Sequence, residues 1–159
     1  MIAVLQRVSH AQVTVAGECV GAIGPGILAL IGAVDGDDGA DVDFMARRIP
    51  NLRFFADEDG RMNLSVSDIG GAILVVSQFT LAGDTRKGRR PSFVRALAPD
   101  LAAPMIEDLA GRFEAAGLEV ATGEFGANMQ VELLNDGPVT LLLDSRQTRR
   151  GNDRDAGGA

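Results

Sequence analysis

The chain has 159 residues, 46% of them hydrophobic, which fits one domain whose core needs neither disulfides nor metal. Its formal net charge of −7 argues against general nucleic-acid affinity, because such binding needs Lys and Arg to neutralise phosphates. The N-terminal residues lack the pattern of a secretory signal, and no apolar run approaches membrane-spanning length. The single cysteine, Cys19, is expected to be buried and permits no intrachain disulfide, which is typical of the cytoplasm.

The first third of the chain has the pattern of β-strands joined by turns. Residues 2–8, 12–15 and 27–34 are apolar or alternate between apolar and polar, which predicts an antiparallel meander. His10 is expected in a turn between the first two strands. An acidic, glycine-rich loop follows, in which Asp41 is the candidate cap of a short helix.

The middle of the chain contains a predicted hairpin and a predicted buried strand. Residues 51–55 and 61–64 flank residues 57–60, of sequence Asp-Glu-Asp-Gly, which is typical of a β-hairpin turn. Residues 72–76 form an unbroken β-prone apolar run. Such a run favours a central strand that is covered on both faces.

The last third begins with a long predicted helix. Pro104 suits the first helical position, apolar residues follow at helical spacing, and Gly117 is a typical stop. Residues 118–121, 129–134 and 139–144 then return to strand patterning.

Helices inserted between runs of strands, without regular alternation, predict an α+β fold with a largely antiparallel sheet. No internal repeat or second domain is visible in the sequence. We expect one domain over residues 1–145 and a disordered tail over residues 146–159, which is polar and rich in glycine and charge.

The residue types exclude several familiar kinds of active site. His10 is the only histidine, so neither a Ser-His-Asp triad nor a histidine-rich metal site is expected. Residues 83–90 have the glycine spacing of a P-loop, but Arg89 and Arg90 stand where Lys and Ser or Thr are needed. Most of the 22 Asp and Glu residues fall in polar loops or on an exposed helix face. We therefore nominate no acid–base pair and expect no metal and no cofactor.

A polar segment directly follows the predicted central strand. Ser77, Gln78, Phe79 and Thr80 stand where a buried strand emerges, a place where a rigid element can position functional groups. The alternative is that Ser77 and Thr80 merely satisfy backbone groups at the end of the strand. The spacing of these residues does not decide between the two.

Two further segments have both an ordinary and a functional interpretation. Residues 135–140, of sequence Asn-Asp-Gly-Pro-Val-Thr, are expected to join two strands, as a turn with Gly137 before Pro138 commonly does. Residues 86–91 are the only dense basic cluster outside the tail. They form either a solvated loop or a local contact to phosphate.

Taken together, these residues resemble the D-aminoacyl-tRNA deacylase family, also known as D-Tyr-tRNA deacylases. The family's two signature motifs, Ser-Gln-Phe-Thr-Leu and Asn-X-Gly-Pro-Val-Thr, match residues 77–81 and 135–140. Further similarity lies in residues 4–8, 60–63, 87–93 and 125–127. The resemblance covers roughly residues 1–144.

The resemblance implies a homodimer of partly barrel-like sheets with one long and one or two short helices. Each active site would combine Ser77, Gln78, Phe79 and Thr80 of one subunit with a cis Gly137–Pro138 segment of the other. Backbone carbonyls of that segment would leave no room for an L side chain. The implied partner is aminoacyl-tRNA, engaged through its 3′-terminal adenosine and D-amino acid, and the implied reaction is proofreading by ester hydrolysis, with glycine mischarged on tRNA as a further substrate.

The implied mechanism relies on positioning and backbone donors. Water would attack with help from the substrate's own ribose hydroxyl, while backbone N–H groups near Phe79 and Thr80 would stabilise the oxyanion. A rival mechanism makes the Thr80 hydroxyl a covalent nucleophile, but no histidine is near it in sequence. By family analogy Met129 lines the adenosine pocket; otherwise it is an alternating core residue.

Two other functions remain open at this point. One is a related deacylase with a trans Gly-Pro bond and a preference for a small L-amino acid. The other is a noncatalytic dimeric RNA-binding module, which the acidic balance of the chain disfavours.

Overall fold

A computed structural model describes residues 1–146. The division into a domain over residues 1–145 and a disordered tail over residues 146–159 stays a prediction, since residues 147–159 lie outside the described part. The strands are β1 (Ile2–Val15), β2 (Glu18–Ile23), β3 (Gly26–Gly32), β4 (Phe55–Ala56), β5 (Met62–Leu64), β6 (Ala72–Ser77), β7 (Glu119–Thr122) and β8 (Met129–Asp144). The α-helices of the described part are α1 (Gly39–Arg48) and α2 (Pro99–Ala115), and short 3-10 helices span Ile49–Asn51 and Phe79–Ala82.

The main sheet of residues 1–146 has the strand order β2-β1-β3-β6-β7. Residues 2–8 of β1 pair with β3 and residues 11–15 pair with β2, while β8 pairs along the opposite edge of β1. β1 pairs antiparallel with β2, β3 and β8, whereas β6 pairs parallel with β3 and β7. The parallel pairs follow from the long connections, because parallel neighbours need a crossover, here through α1 and the β4–β5 hairpin or through α2.

The two ends of this sheet order meet, so that the sheet is nearly closed. Gly21 of β2 lies so close to the backbone of Thr122 in β7 that there is no room for a Cβ atom. The predicted α+β class and the partly barrel-like, largely antiparallel sheet are therefore confirmed, whereas the parallel pairs of β6 with β3 and β7 were not predicted.

The predicted central strand is confirmed as β6, which is buried along Ala72–Val76. Ile73 and Val75 face a core cluster that includes Leu109 and Phe113 of α2. Leu74 and Val76 face a second cluster inside the curved sheet, with Val8, Val13 and Leu28. Burial on both faces explains why the run of apolar residues is unbroken.

Two predicted breaks in strands were wrong. β1 is one continuous strand, in which His10 pairs with Leu134 and is not in a turn; its side chain is 51% exposed. β8 is likewise continuous through residues 135–140. Because Gln6 pairs with Thr140 and Val8 with Asn135, four residues of β8 oppose Arg7 alone and bulge out of the ladder.

The predicted helix starts also shift. α2 begins at Pro99, so Pro104 lies inside the helix instead of at its first position. Either proline suits a first turn, where a missing N–H costs little, and the chain uses the earlier one. The cap of α1 is Asp38, whose carboxylate accepts from the Ala40 N–H at 2.8 Å, while Asp41 completes the capping box.

Cys19 was predicted to be buried, and this was wrong. It lies exposed in β2, where it pairs with Thr14 of β1. No helix within residues 1–146 has the length and apolarity needed to cross a membrane.

Candidate active site

The candidate site begins where β6 ends. The Gln78 N–H donates to the Ile31 carbonyl at 2.7 Å and so continues the ladder with β3 by one bond beyond Ser77. The chain then turns into the 3-10 helix Phe79–Ala82. A rigid buried strand therefore positions these residues at the mouth of a pocket. Ser77 and Gln78 are half-buried there, and Phe79 is exposed.

The pocket has a volume of about 590 Å³, within the range of small-molecule sites. Ser77, Gln78, Phe79 and Met129 all line it, so the structure brings these predicted site residues together. Thr80 is adjacent but is not among the lining residues. The other lining residues are Ile31, Ala33, Val76, Phe93, Ala96, Leu97, Ala98, Pro99, Ala102, Ile106, Phe125, Gly126, Ala127 and Val131.

Aromatic rings form much of the pocket's rim. Phe79 is 59% exposed, and its ring packs edge-on against that of Phe93, with 5.2 Å between centroids and 72° between planes. Phe125 also lines the pocket and is partly exposed. Sequence analysis gave neither Phe93 nor Phe125 a role, and their only signal was the family segments that contain them.

No lining residue of this pocket is titratable: Ser77 and Gln78 supply its polar side chains. Among residues 1–146, no group of three or more His, Cys, Asp or Glu lies close enough to hold a metal ion. The lining residues therefore offer main-chain groups and neutral side chains.

Backbone donors are available at the rim. The first hydrogen bond of the 3-10 helix runs from the Leu81 N–H to the Gln78 carbonyl at 3.2 Å. The N–H groups of Phe79 and Thr80 come before that bond, so they make no hydrogen bond within the helix. Neither has an acceptor among the described residues. The Gln78 side-chain amide donates a short hydrogen bond to the Thr80 hydroxyl, which fixes both side chains.

The second motif lies apart from the pocket. Gly137–Pro138 is a cis peptide within the bulge of β8, and neither residue lines the pocket. Arg7 holds this bulge: its Nε donates to the Asp136 carbonyl at 2.9 Å and its Nη1 to the Phe54 carbonyl at 2.8 Å. Asn135 closes the base of the bulge by donating from Nδ2 to the carbonyls of Arg7 and Val139, both at 3.0 Å.

The sheet register measures how far apart the motifs are. Arg7 opposes the bulge, pairs with Ile27 of β3, and Ile27 pairs with Ile73 of β6, four residues before Ser77. The motifs are thus three strand spacings apart, about 14 Å across the sheet, and also offset along the strands. One chain does not bring Gly137–Pro138 to its own pocket.

Comparisons with known proteins agree with these motifs. The family described as D-Tyr-tRNA(Tyr) deacylase matches residues 4–144. A D-aminoacyl-tRNA deacylase of Chloroflexus aurantiacus is 57% identical over 149 residues, covering 94% of this chain and 93% of the relative. One of Roseiflexus sp. is 58% identical over 145 residues, covering 91% and 94%.

Two solved structures are also similar. The c-Myc DNA Unwinding Element Binding Protein has a TM-score of 0.85 at 42% identity and covers 91% of this chain and 98% of its own. A probable eukaryotic D-amino acid tRNA deacylase has a TM-score of 0.78 at 19% identity, covers 90% and 98%, and shares the fold. The chain therefore belongs to the D-Tyr-tRNA(Tyr) deacylase family, whose members are hydrolases of the ester bond in aminoacyl-tRNA.

Proposed function

We propose that the chain proofreads tRNA in the cytoplasm as a homodimer, and that Gly137–Pro138 of each subunit completes the pocket of the other. The proposal rests on one observation: a pocket without titratable side chains stands about 14 Å across the sheet from the motif that would read the substrate's chirality. A second copy of the chain can supply that motif where the first cannot.

The pocket suits the terminal adenosine of tRNA. Its volume and apolar walls fit a nucleoside, and the rings of Phe79, Phe93 and Phe125 offer faces or edges to a base. Met129 lines the same wall, in keeping with its predicted role. The ester carbon would then lie at the rim, near the free N–H groups of Phe79 and Thr80.

β8 offers a surface for the second copy. Within residues 1–146 it pairs only with β1, so its other edge is open along sixteen residues. Leu134 and Leu142, 55% and 71% exposed, project from it. A long exposed strand edge with apolar side chains needs a partner in a stable protein, and a two-fold axis would cover both copies identically.

Chirality would be read by exclusion. The carbonyls of Gly137 and Pro138 would stand where an L side chain has to go, leaving the opposite side of the α-carbon open. Because main chain does the reading, many D side chains would be accepted. Glycine, which has no side chain to exclude, would also be a substrate.

The reaction we propose uses water and the substrate's own ribose hydroxyl. The water oxygen bonds to the ester carbon as the water gives a proton to that hydroxyl, and the hydroxyl passes its own proton to the neighbouring ribose oxygen of the ester. The N–H groups of Phe79 and Thr80 donate to the oxyanion. The bond between the ester carbon and the protonated ribose oxygen then breaks, releasing a D-amino acid and a tRNA end with both ribose hydroxyls free. Thr80 is a poor candidate for the nucleophile, since its recorded side-chain partner is an amide and not a base.

Release of the amino acid from D-Tyr-tRNA, L-Tyr-tRNA and Gly-tRNA tests the proposal. We expect rapid hydrolysis of the D-ester and of Gly-tRNA and, for the L-ester, only the rate without enzyme. The control is Gly137→Ala, where the new Cβ would lie 2.7 Å from Val139 Cγ2 and displace the motif. Preference for a small L-amino acid would assign the chain to the L-accepting relatives, and binding without hydrolysis would leave an RNA-binding module.

A further inference from the structure

A basic loop, residues 84–92, stands beside the pocket. Its ends are held together by two backbone bonds, from the Asp84 N–H to the Ser92 carbonyl at 2.8 Å and from the Ser92 N–H to the Asp84 carbonyl at 2.9 Å. The next residue, Phe93, lines the pocket against Phe79. The loop is therefore anchored directly to the pocket's aromatic rim.

One cation of the loop is used internally. The Arg86 guanidinium donates from Nε to both carboxylate oxygens of Asp84, at 2.9 and 3.1 Å. These hydrogen bonds hold the pKa of Asp84 well below its usual range. Arg86 and Asp84 neutralise each other and stiffen the first turn of the loop.

The remaining cations of the loop, Lys87, Arg89 and Arg90, are exposed, and no ion pair within residues 1–146 involves them. Gly88 separates them with φ at +72°, a conformation that favours glycine and lets the chain turn between Lys87 and Arg89. Three exposed cations in one short loop stand out on a chain whose net charge is −7.

We propose that Lys87, Arg89 and Arg90 bind phosphates of the RNA strand as it leaves the pocket at the 3′ end of tRNA. This inference rests on the proposed function, which places the terminal adenosine in the pocket. The strand must then cross the rim formed by Phe79 and Phe93, where the loop stands. Contacts to phosphate position a nucleic acid without reading its sequence, which suits an enzyme that acts on many tRNAs. The acidic remainder of the chain would repel RNA elsewhere and restrict binding to this edge.

Substrates with and without phosphates, combined with the variant Lys87→Gln/Arg89→Gln/Arg90→Gln, test the inference. On D-Tyr-tRNA at low salt we expect KM to rise by about tenfold or more, with kcat little changed, and the slope of log affinity against log salt to flatten by about 2. On the D-tyrosyl ester of adenosine, which has no phosphate, the variant should equal the wild type. The control is Arg47→Gln/Arg48→Gln, another adjacent exposed arginine pair, on α1 and away from the pocket. It should leave KM and the salt slope unchanged.

Binding of uncharged tRNA, followed by fluorescence anisotropy against salt, gives a readout that does not depend on catalysis. If the wild type binds tRNA with the expected slope and the triple variant with a flatter one, but the wild type hydrolyses nothing, the proposed function fails and the loop's role in binding RNA stands. An unchanged KM and salt slope in the triple variant would overturn the inference, as would equal losses on tRNA and on the adenosine ester. Equal competition by duplex DNA would assign the loop to general nucleic-acid binding and overturn it too.

Discussion

At the scale of single residues, the pocket offers main-chain hydrogen-bond donors and is lined by no titratable side chain. Its polar lining is neutral, and the available donors are the N–H groups of Phe79 and Thr80. An ester is already reactive, so orientation and a preorganised oxyanion site can supply much of the acceleration. Loss of a side-chain hydroxyl that leaves the backbone and the aromatic rim in place should therefore be tolerated.

Thr80→Ala should retain most of the deacylation activity. The substitution keeps the backbone N–H and removes a hydroxyl whose recorded partner is the Gln78 amide. A neutral hydrogen bond contributes about 1 kcal/mol, so kcat should fall by less than about tenfold. Single-turnover hydrolysis of D-Tyr-tRNA measures it, with Thr80→Ser as the matched control that keeps a hydroxyl. If Thr80 were the nucleophile, Thr80→Ala would lose several orders of magnitude and Thr80→Ser would not.

The candidate site was only partly predictable at this scale. The segment from Ser77 to Thr80 is contiguous and follows an obvious buried strand, so its place at a site could be inferred. Phe93 and Phe125 are far from it in sequence and reach the pocket only through the fold. The sequence around each of them is that of an ordinary loop, so only the tertiary structure shows that they lie at the same pocket as Phe79.

At the scale of elements, the ladder with β1 overrides local turn signals in β8. Residues 135–140 contain the strongest turn signals of that region, which is why two strands were expected. The strand instead continues on both sides, and the extra residues bulge opposite Arg7. Turn-forming residues here build a protrusion from a strand edge, a role that the sequence pattern does not distinguish from a hairpin.

Other elements were easier to predict from local chemistry. β6 and the β4–β5 hairpin follow from an unbroken apolar run and an acidic turn closing on Gly60. The parallel pairing of β6 with β3 and β7 was not predicted. It depends on the crossover connections, and the alternation of residues within one strand does not show which strands are neighbours. The start of α2 was misplaced because Pro99 and Pro104 give the same local signal.

The turn that leads into β6 should make stability depend on pH. Asp68 accepts from the N–H and hydroxyl of Ser65, at 2.8 and 2.7 Å, and these bonds, the backbone one first, lower its pKa from 3.8. A lowered pKa in the folded state means a contribution that is present above pH 3.8 and is lost as pH falls through the folded value.

Asp68→Asn should therefore be less stable than the wild type at pH 7 and should approach it below pH 3.8. Urea unfolding at pH 7, 5 and 3 measures the difference in midpoint. Asp59→Asn, the same exchange at an exposed hairpin position, should change the midpoint little at each pH. A difference for Asp68→Asn that is the same at all three pH values would contradict the assigned hydrogen bonds.

At the scale of the whole molecule, the fold separates what the family motifs would combine. β6 presents its motif at one end of the sheet, and the bulge of β8 presents Gly137–Pro138 three strands away. From the sequence, a second subunit could be expected only through the family resemblance. The position of Gly137–Pro138 is a separate argument for the proposed dimer, because a motif on the open edge of β8 can be presented to another copy of the chain.

Heterodimers of two inactive chains should test this arrangement directly. Gln78→Ala/Phe79→Ala damages the pocket rim, and Gly137→Ala displaces the exposed bulge through a close contact with Val139. Each homodimer should be nearly inactive. In a heterodimer purified through two different affinity tags, one site would combine both damaged motifs and the other both intact ones. With two-fold symmetry, such a dimer should recover about half of the wild-type activity towards D-Tyr-tRNA. Sites built within one chain would each keep one damaged motif, so a heterodimer as inactive as its parents would refute the shared site.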